Sequence, residues 1–150
     1  MKPLIATVTS MLFASASHAA DWNNSPETLV RSFQADYLRW NNDALLLDEK
    51  YGVHGSAQHI ERSYAKLLEK YCLPNFKGEP IAYGTRSSHD PSREEVIFVR
   101  TNPPNAIVRT RAKRTSTYSP IFEYEILESA GRWYLLQVYL VDGDERLPGL

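Results

Sequence analysis

The segment Pro120–Val141, PIFEYEILESAGRWYLLQVYLV, constrains this chain more than any other, because it prescribes its own shape. Two runs rich in aromatic and β-branched residues flank Glu128-Ser129-Ala130-Gly131-Arg132, whose glycine is free to take the positive φ of a tight turn. The reading is a β-hairpin. With the turn centred on Ala130, Phe122, Tyr124 and Ile126 pair with Val138, Leu136 and Tyr134 on an apolar face. Glu123, Glu125 and Leu127 then lie opposite Gln137, Leu135 and Trp133 on a mixed one. A slip of one residue exchanges the faces, so register carries much of the fold's information.

Upstream, the apolar period is helical. Ser25-Pro26-Glu27 combines a capping hydroxyl, proline at the first helical position and an acid in the first turn. Val30, Phe33, Tyr37 and Trp40 then form one stripe at spacings of three and four. This helix is expected to end near Asn41-Asn42, with Asp43 capping a short turn through Leu45–Leu47 and with Tyr51–Gly55 as a loop. Ser56 is expected to open a second helix, with Ile60, Tyr64, Leu67, Leu68 and Tyr71 as its apolar face and Pro74 preventing its continuation. From Glu79 onward the pattern shortens to strands: Ile81–Thr85, Glu95–Thr101, Ala106–Arg114 and the hairpin, followed by an exposed acidic tail, Asp142–Leu150. Helices followed by strands predict an α+β fold, with two or three helices on one face of an antiparallel sheet.

A chain of 150 residues suits one domain. Residues 1–20 stand apart: Lys2 is their only lysine or arginine, an apolar stretch follows from Leu4 to Ala14, and small residues lead to Ala19 and Ala20. This is the pattern of a signal peptide. It predicts a domain spanning 21–150, exported to the periplasm after cleavage near Ala19 or Ala20. The mature chain keeps 16 basic residues against 18 acidic ones, a net charge of −2. That balance provides no basic footprint for nucleic acid. After cleavage no stretch approaches the ~20 apolar residues of a membrane span, so stable membrane insertion is not expected. Cys72 is the only cysteine and has no disulfide partner within the chain. It reads as a small buried hydrophobe.

Local motifs for chemistry are missing. His54 and His59 are five apart across a loop–helix junction, His18 leaves with the leader, and His89-Asp90 reads as a polar turn. There is no nucleophile elbow, no reactive Cys-His context and no phosphate loop. Asp36 and Asp48 are the carboxylates that a helix–sheet pocket could hold as bases, although each reads first as a surface acid. Rings are abundant: Tyr37, Trp40, Tyr64, Tyr71, Tyr83, Phe98, Tyr124 and Trp133 could fill a cone between helices and sheet, or line one. Arg109, Arg111 and Lys113 alternate along one strand, and Glu123 and Glu125 along the next. A turn near Thr117 pairs Arg109 with Glu125 and Arg111 with Glu123, a solvated salt-bridge ladder that could also serve as a recognition surface.

Phe122-Glu123-Tyr124-Glu125-Ile126, Gly131-Arg132-Trp133-Tyr134-Leu135 and Val138–Asp144 resemble the ending of the nuclear-transport-factor-two-like fold, and the helical segments Phe33–Trp40 and Tyr64–Tyr71 fit the helices that precede its sheet. Within that superfamily the C-terminal third is similar to the immunity proteins of bacterial polymorphic toxin systems. The resemblance implies a cone-shaped, strongly curved sheet around N-terminal helices and a periplasmic protein that binds and neutralises a cognate toxin. No residue matches the acid or base groups of the superfamily's enzymes, so no enzymatic activity, catalytic residue, cofactor or metal is expected. The expected toxin contacts are Arg109, Arg111, Glu123, Glu125, Asp142, Asp144 and Glu145. Two alternatives remain. One is a small-ligand binder, or a lyase or isomerase, with a buried carboxylate in the cone. The other is a homodimer packed through Trp133, Leu135 and Tyr139.

Overall fold

The computed structural model describes residues 23–79, 82–113 and 117–150, so the leader expected at 1–20 lies outside the described residues. Helix α1 (Pro26–Tyr71) is followed by strands β1 (Glu94–Asn102), β2 (Asn105–Ala112), β3 (Ile121–Ser129), β4 (Arg132–Asp142) and β5 (Glu145–Pro148). The strands form one antiparallel sheet in sequence order. The architecture is α+β, a helix packed on a five-stranded sheet.

The N-terminus of α1 forms where the sequence places it. The Ser25 hydroxyl accepts the Thr28 N–H at 3.2 Å, and the Thr28 hydroxyl accepts the Ser25 N–H at 2.9 Å. The expected stop at Asn41-Asn42 does not occur, nor does Asp43 cap a new turn: both sites, and most of the loop expected at Tyr51–Gly55, are helical. Asn41 stops a helix only when its side chain bonds its own backbone. Here it reaches outward, donating to the Gly84 carbonyl at 2.9 Å and accepting the Gly84 N–H at 3.0 Å.

The one interior break is at Gly52, with φ 71° and ψ 163°, a conformation open essentially to glycine alone. It divides α1 into arms 26–51 and 53–71 that fold back on each other. Ser56 does not open the second arm. It lies inside that arm, its hydroxyl 2.7 Å from an Asp48 oxygen and 3.0 Å from the Gly52 carbonyl, latching the bend. Further along, the Trp40 indole N–H reaches the Ser63 hydroxyl, and Asp36 accepts from Lys70 Nζ at 2.6 Å and the Tyr71 hydroxyl at 2.8 Å. The two or three helices expected are therefore two arms of one interrupted helix.

The β3–β4 hairpin closes on two residues, Ala130 (φ 52°) and Gly131 (φ 72°), the paired left-handed geometry of a type I′ turn. The turn centre thus lies between these residues rather than on Ala130. The register shifts again between Glu125 and Ile126, where Leu136 is the extra residue. Phe122, Tyr124 and Ile126 face the core as expected. Their partners are Leu140, Val138 and Leu135 instead of Val138, Leu136 and Tyr134. A bulge of this kind lets two residues three apart share a face, which is how Leu135 and Val138 both become buried. A second shift interrupts β1 at Ile97.

Two expected features are corrected. No strand forms over the described part of Ile81–Thr85, because Gly84 bonds Asn41 and the Ala82 carbonyl accepts the Tyr37 hydroxyl, tying this segment to the helix. The tail is exposed and turns at Gly143 as expected, but it adds a strand, β5, and its last residue is not exposed. Gly143 (φ 57°) turns the chain into β5, and Leu150 is buried in the core with its N–H on Gln137 Oε1 at 3.0 Å. Cys72 caps the C-terminus of α1 and is buried, as expected.

Candidate functional site

Strand β2 alternates exposed and buried residues, so one sheet face meets α1 and the other points outward. The outward face gathers Arg109, Glu123 and Glu125, although not in the expected ladder. Arg109 lies opposite Glu123, and Arg111 opposite Ile121, two residues from the register that a turn near Thr117 predicts. Arg111 reaches Glu95 instead, at 3.9 Å, with Lys113 at 3.5 Å from the same carboxylate.

The centre of this face is Glu123. Its Oε2 accepts from Arg109 Nε and its Oε1 from an Arg146 NH group, each at 2.5 Å, and Arg146 also donates to Glu125 at 2.7 Å. Arg146 lies 3.9 Å from the centroid of the Tyr139 ring, and Arg109 lies 5.7 Å from that of Phe98. Under these side chains Glu123 is only 3% exposed, although it points away from the helix. Asp142, Asp144 and Glu145 are exposed around the β4–β5 turn, beside this cluster in the chain but not bonded into it. Arg146 and Glu95 were not legible as members. Arg146 sits in what reads as a turn-rich tail, and the alternation of Glu145-Arg146-Leu147 is its only signal. The dimer face Trp133, Leu135 and Tyr139 does not exist as such, because the bulge at Leu136 turns Leu135 inward and buries it.

The helix-facing side of the sheet is rich in packed rings. Phe33, Tyr37, Phe122 and Tyr124 pack with His89, whose ring centroid lies 4.8 Å from those of both Tyr37 and Phe122, and Trp40, Tyr64 and Tyr71 extend the cluster through Tyr37 and Phe33. Asp36 is not a base at the floor of this space. Burial alone would raise its carboxyl, but hydrogen bonds from Lys70 and Tyr71 and the charges of Lys70 and Arg39 outweigh that and hold it below its ordinary range. Asp48 serves the Ser56 latch.

The buried carboxylate is instead Glu94, which sequence reasoning missed. Its Oε2 accepts from Gln34 Nε2 at 2.8 Å, Thr110 Oγ1 at 2.5 Å and the Tyr124 hydroxyl at 3.0 Å. Its Oε1 accepts the Asp90 N–H at 3.1 Å and lies 3.4 Å from His89 Nδ1. Burial works to raise the Glu94 carboxyl. The His89 contact, the Thr110 hydroxyl and the Asp90 N–H together outweigh it and leave the group below its ordinary range. The same burial, reinforced by the adjacent Glu94 charge, pushes the Tyr124 hydroxyl well up. His89 is therefore not a polar turn residue but part of an interior network. The available signal was the Glu94-Glu95 doublet at a strand start, where alternation sends one acid inward and one outward.

Among the described residues no cluster of three or more His, Cys, Asp or Glu is arranged to hold a metal, and no helix is long and apolar enough to cross a membrane. No family model, no curated protein and no solved structure matches the chain.

Proposed function

We propose that this chain is an immunity-type binding protein with a nuclear-transport-factor-two-like cone, exported to the periplasm, where its outward sheet face docks a cognate bacterial toxin and blocks it. The observation that carries the reading is the Arg109–Glu123–Arg146–Glu125 cluster on a sheet face that the helix leaves open. Arginine and aromatic side chains are the residue types that anchor protein interfaces. Holding two arginines against a carboxylate and two rings before the partner arrives reduces the side-chain entropy lost on docking. The acidic turn with Asp142, Asp144 and Glu145 adds a charged rim that steers encounter with a basic partner.

The test is rescue. The chain is expressed with and without residues 1–20 beside the toxin encoded by the adjacent gene, and growth and co-purification are followed. Rescue and a stable complex only with the leader intact support the whole reading. A folded protein that neither rescues nor co-purifies contradicts it.

A further inference from the structure

The interior network leaves one group unused. The Tyr124 hydroxyl has one proton, and the ionised Glu94 Oε2 at 3.0 Å accepts it. Its oxygen is then an acceptor for His89 Nδ1, also at 3.0 Å, with Glu94 Oε1 at 3.4 Å on the same nitrogen. Nδ1 consequently carries the hydrogen, and in the neutral ring Nε2 is a bare acceptor, the arrangement by which a carboxylate fixes a histidine tautomer. His89 is 2% exposed, and its polar side-chain contacts among the described residues are all made through Nδ1, which leaves Nε2 to the open cleft rather than to a protein partner. The ring lines a cleft of about 280 Å³, whose other walls include Tyr37, Tyr64, Phe122, Val138 and Leu140.

We infer that this cleft is a binding site for a small, neutral, ring-sized molecule bearing one hydroxyl, which donates its proton to His89 Nε2 while its apolar body packs against Phe122, Val138 and Leu140. The size fits one ring rather than a cofactor, since the cleft lies just below the ~300 Å³ at which drug-sized pockets begin. Neutrality follows from charge. Glu94 stands behind the histidine and Glu79 on the wall, and the cleft's described lining includes no lysine or arginine to hold an anion. The hydroxyl is required because an apolar ligand would cover Nε2 without satisfying it, and an unpaired buried acceptor is costly. This site lies on the opposite side of the sheet from the proposed toxin face, so either reading can fail alone.

The experiment titrates the purified ¹⁵N-labelled protein with 4-methylphenol, toluene and 4-methylbenzoate, following the His89 ring nitrogens by NMR. The expected result is saturable binding of one 4-methylphenol with a shift at Nε2, at least tenfold weaker binding of toluene, and weaker binding still of the benzoate. In Leu140→Trp, which fills the cleft from a half-buried wall, affinity for 4-methylphenol should fall at least tenfold. No saturable shift of the wild-type His89 resonances overturns the inference, as does equal binding of toluene or tighter binding of 4-methylbenzoate. If Leu140→Trp does not fold, the three-ligand comparison on the wild-type protein decides alone.

Discussion

Glu94→Gln changes one oxygen of the interior network into an NH₂ group and leaves shape almost untouched. The carboxylate accepts at both oxygens: Gln34, Thr110 and Tyr124 donate to one, and the Asp90 N–H to the other, where His89 Nδ1 also lies. Whichever side the amide nitrogen takes, a donor faces a donor. Unsatisfied buried groups cost about 1–3 kcal/mol each, more where a charge is involved. The substitution should therefore destabilise by about 3 kcal/mol at pH 7, which corresponds to a fall in Tm of about 10 °C for a domain of this size. The pH dependence has a definite sign. Because the native Glu94 carboxyl is held below its ordinary range, its stabilisation is complete above the unfolded value of about 4.3 and is lost as pH falls through the native one. The gap between wild type and variant, measured by urea denaturation from pH 7 downward, should thus be constant near neutrality and shrink in acid. A gap under about 0.5 kcal/mol at pH 7, or one that does not shrink in acid, would refute the account of this network.

Gly52→Ala should destabilise by about 1–2 kcal/mol through backbone strain alone, since φ is 71° and an added Cβ meets nothing within 4 Å; a neutral result in thermal melts contradicts the strain. Removing Gly149 and Leu150 should cost about 2–3 kcal/mol from lost burial and should be visible in chemical denaturation; an unchanged midpoint would place the tail outside the core. Cys72, whose thiol burial pushes up to about 12, should react with iodoacetamide only after denaturant is added, and rapid labelling of the native protein would show the site open. Asp36→Ala should cost about 1 kcal/mol by releasing Lys70 and Tyr71 from the first arm, with a loosened second arm in hydrogen exchange.

The elements were legible where local chemistry decides them. The Ser25 cap, the stripe from Val30 to Trp40, the hairpin over Phe122–Val138 and the inward set Phe122, Tyr124 and Ile126 are all read from spacing and turn residues. What failed depended on partners distant in sequence. Asn41 looks like a helix stop until Gly84 takes its side chain, and Ile81–Thr85 looks like a strand until the same contact ties it to the helix. The bulge at Leu136 has no local marker, yet it decides that Leu135 is core rather than surface. The site followed the same rule. Arg109, Glu123 and Glu125 came together because alternation along adjacent strands survives a two-residue error in register. Arg146 required the tertiary fold, because its partners Glu123 and Glu125 lie more than twenty residues away; Glu94 is only five residues from His89, but its inward aim is set by Gln34, Thr110 and Tyr124 from other elements.

The most direct test of the proposed toxin face is the affinity of a surface variant that leaves the core alone. Glu123 is unsuitable, since it is buried and clamped, but Arg111 and Asp144 are exposed. Arg111→Glu with Asp144→Lys should keep the wild-type melting curve and weaken binding of the co-purified toxin at least tenfold by calorimetry. Undiminished affinity in the folded double variant contradicts the assignment of the outward sheet face and its acidic rim as the docking surface.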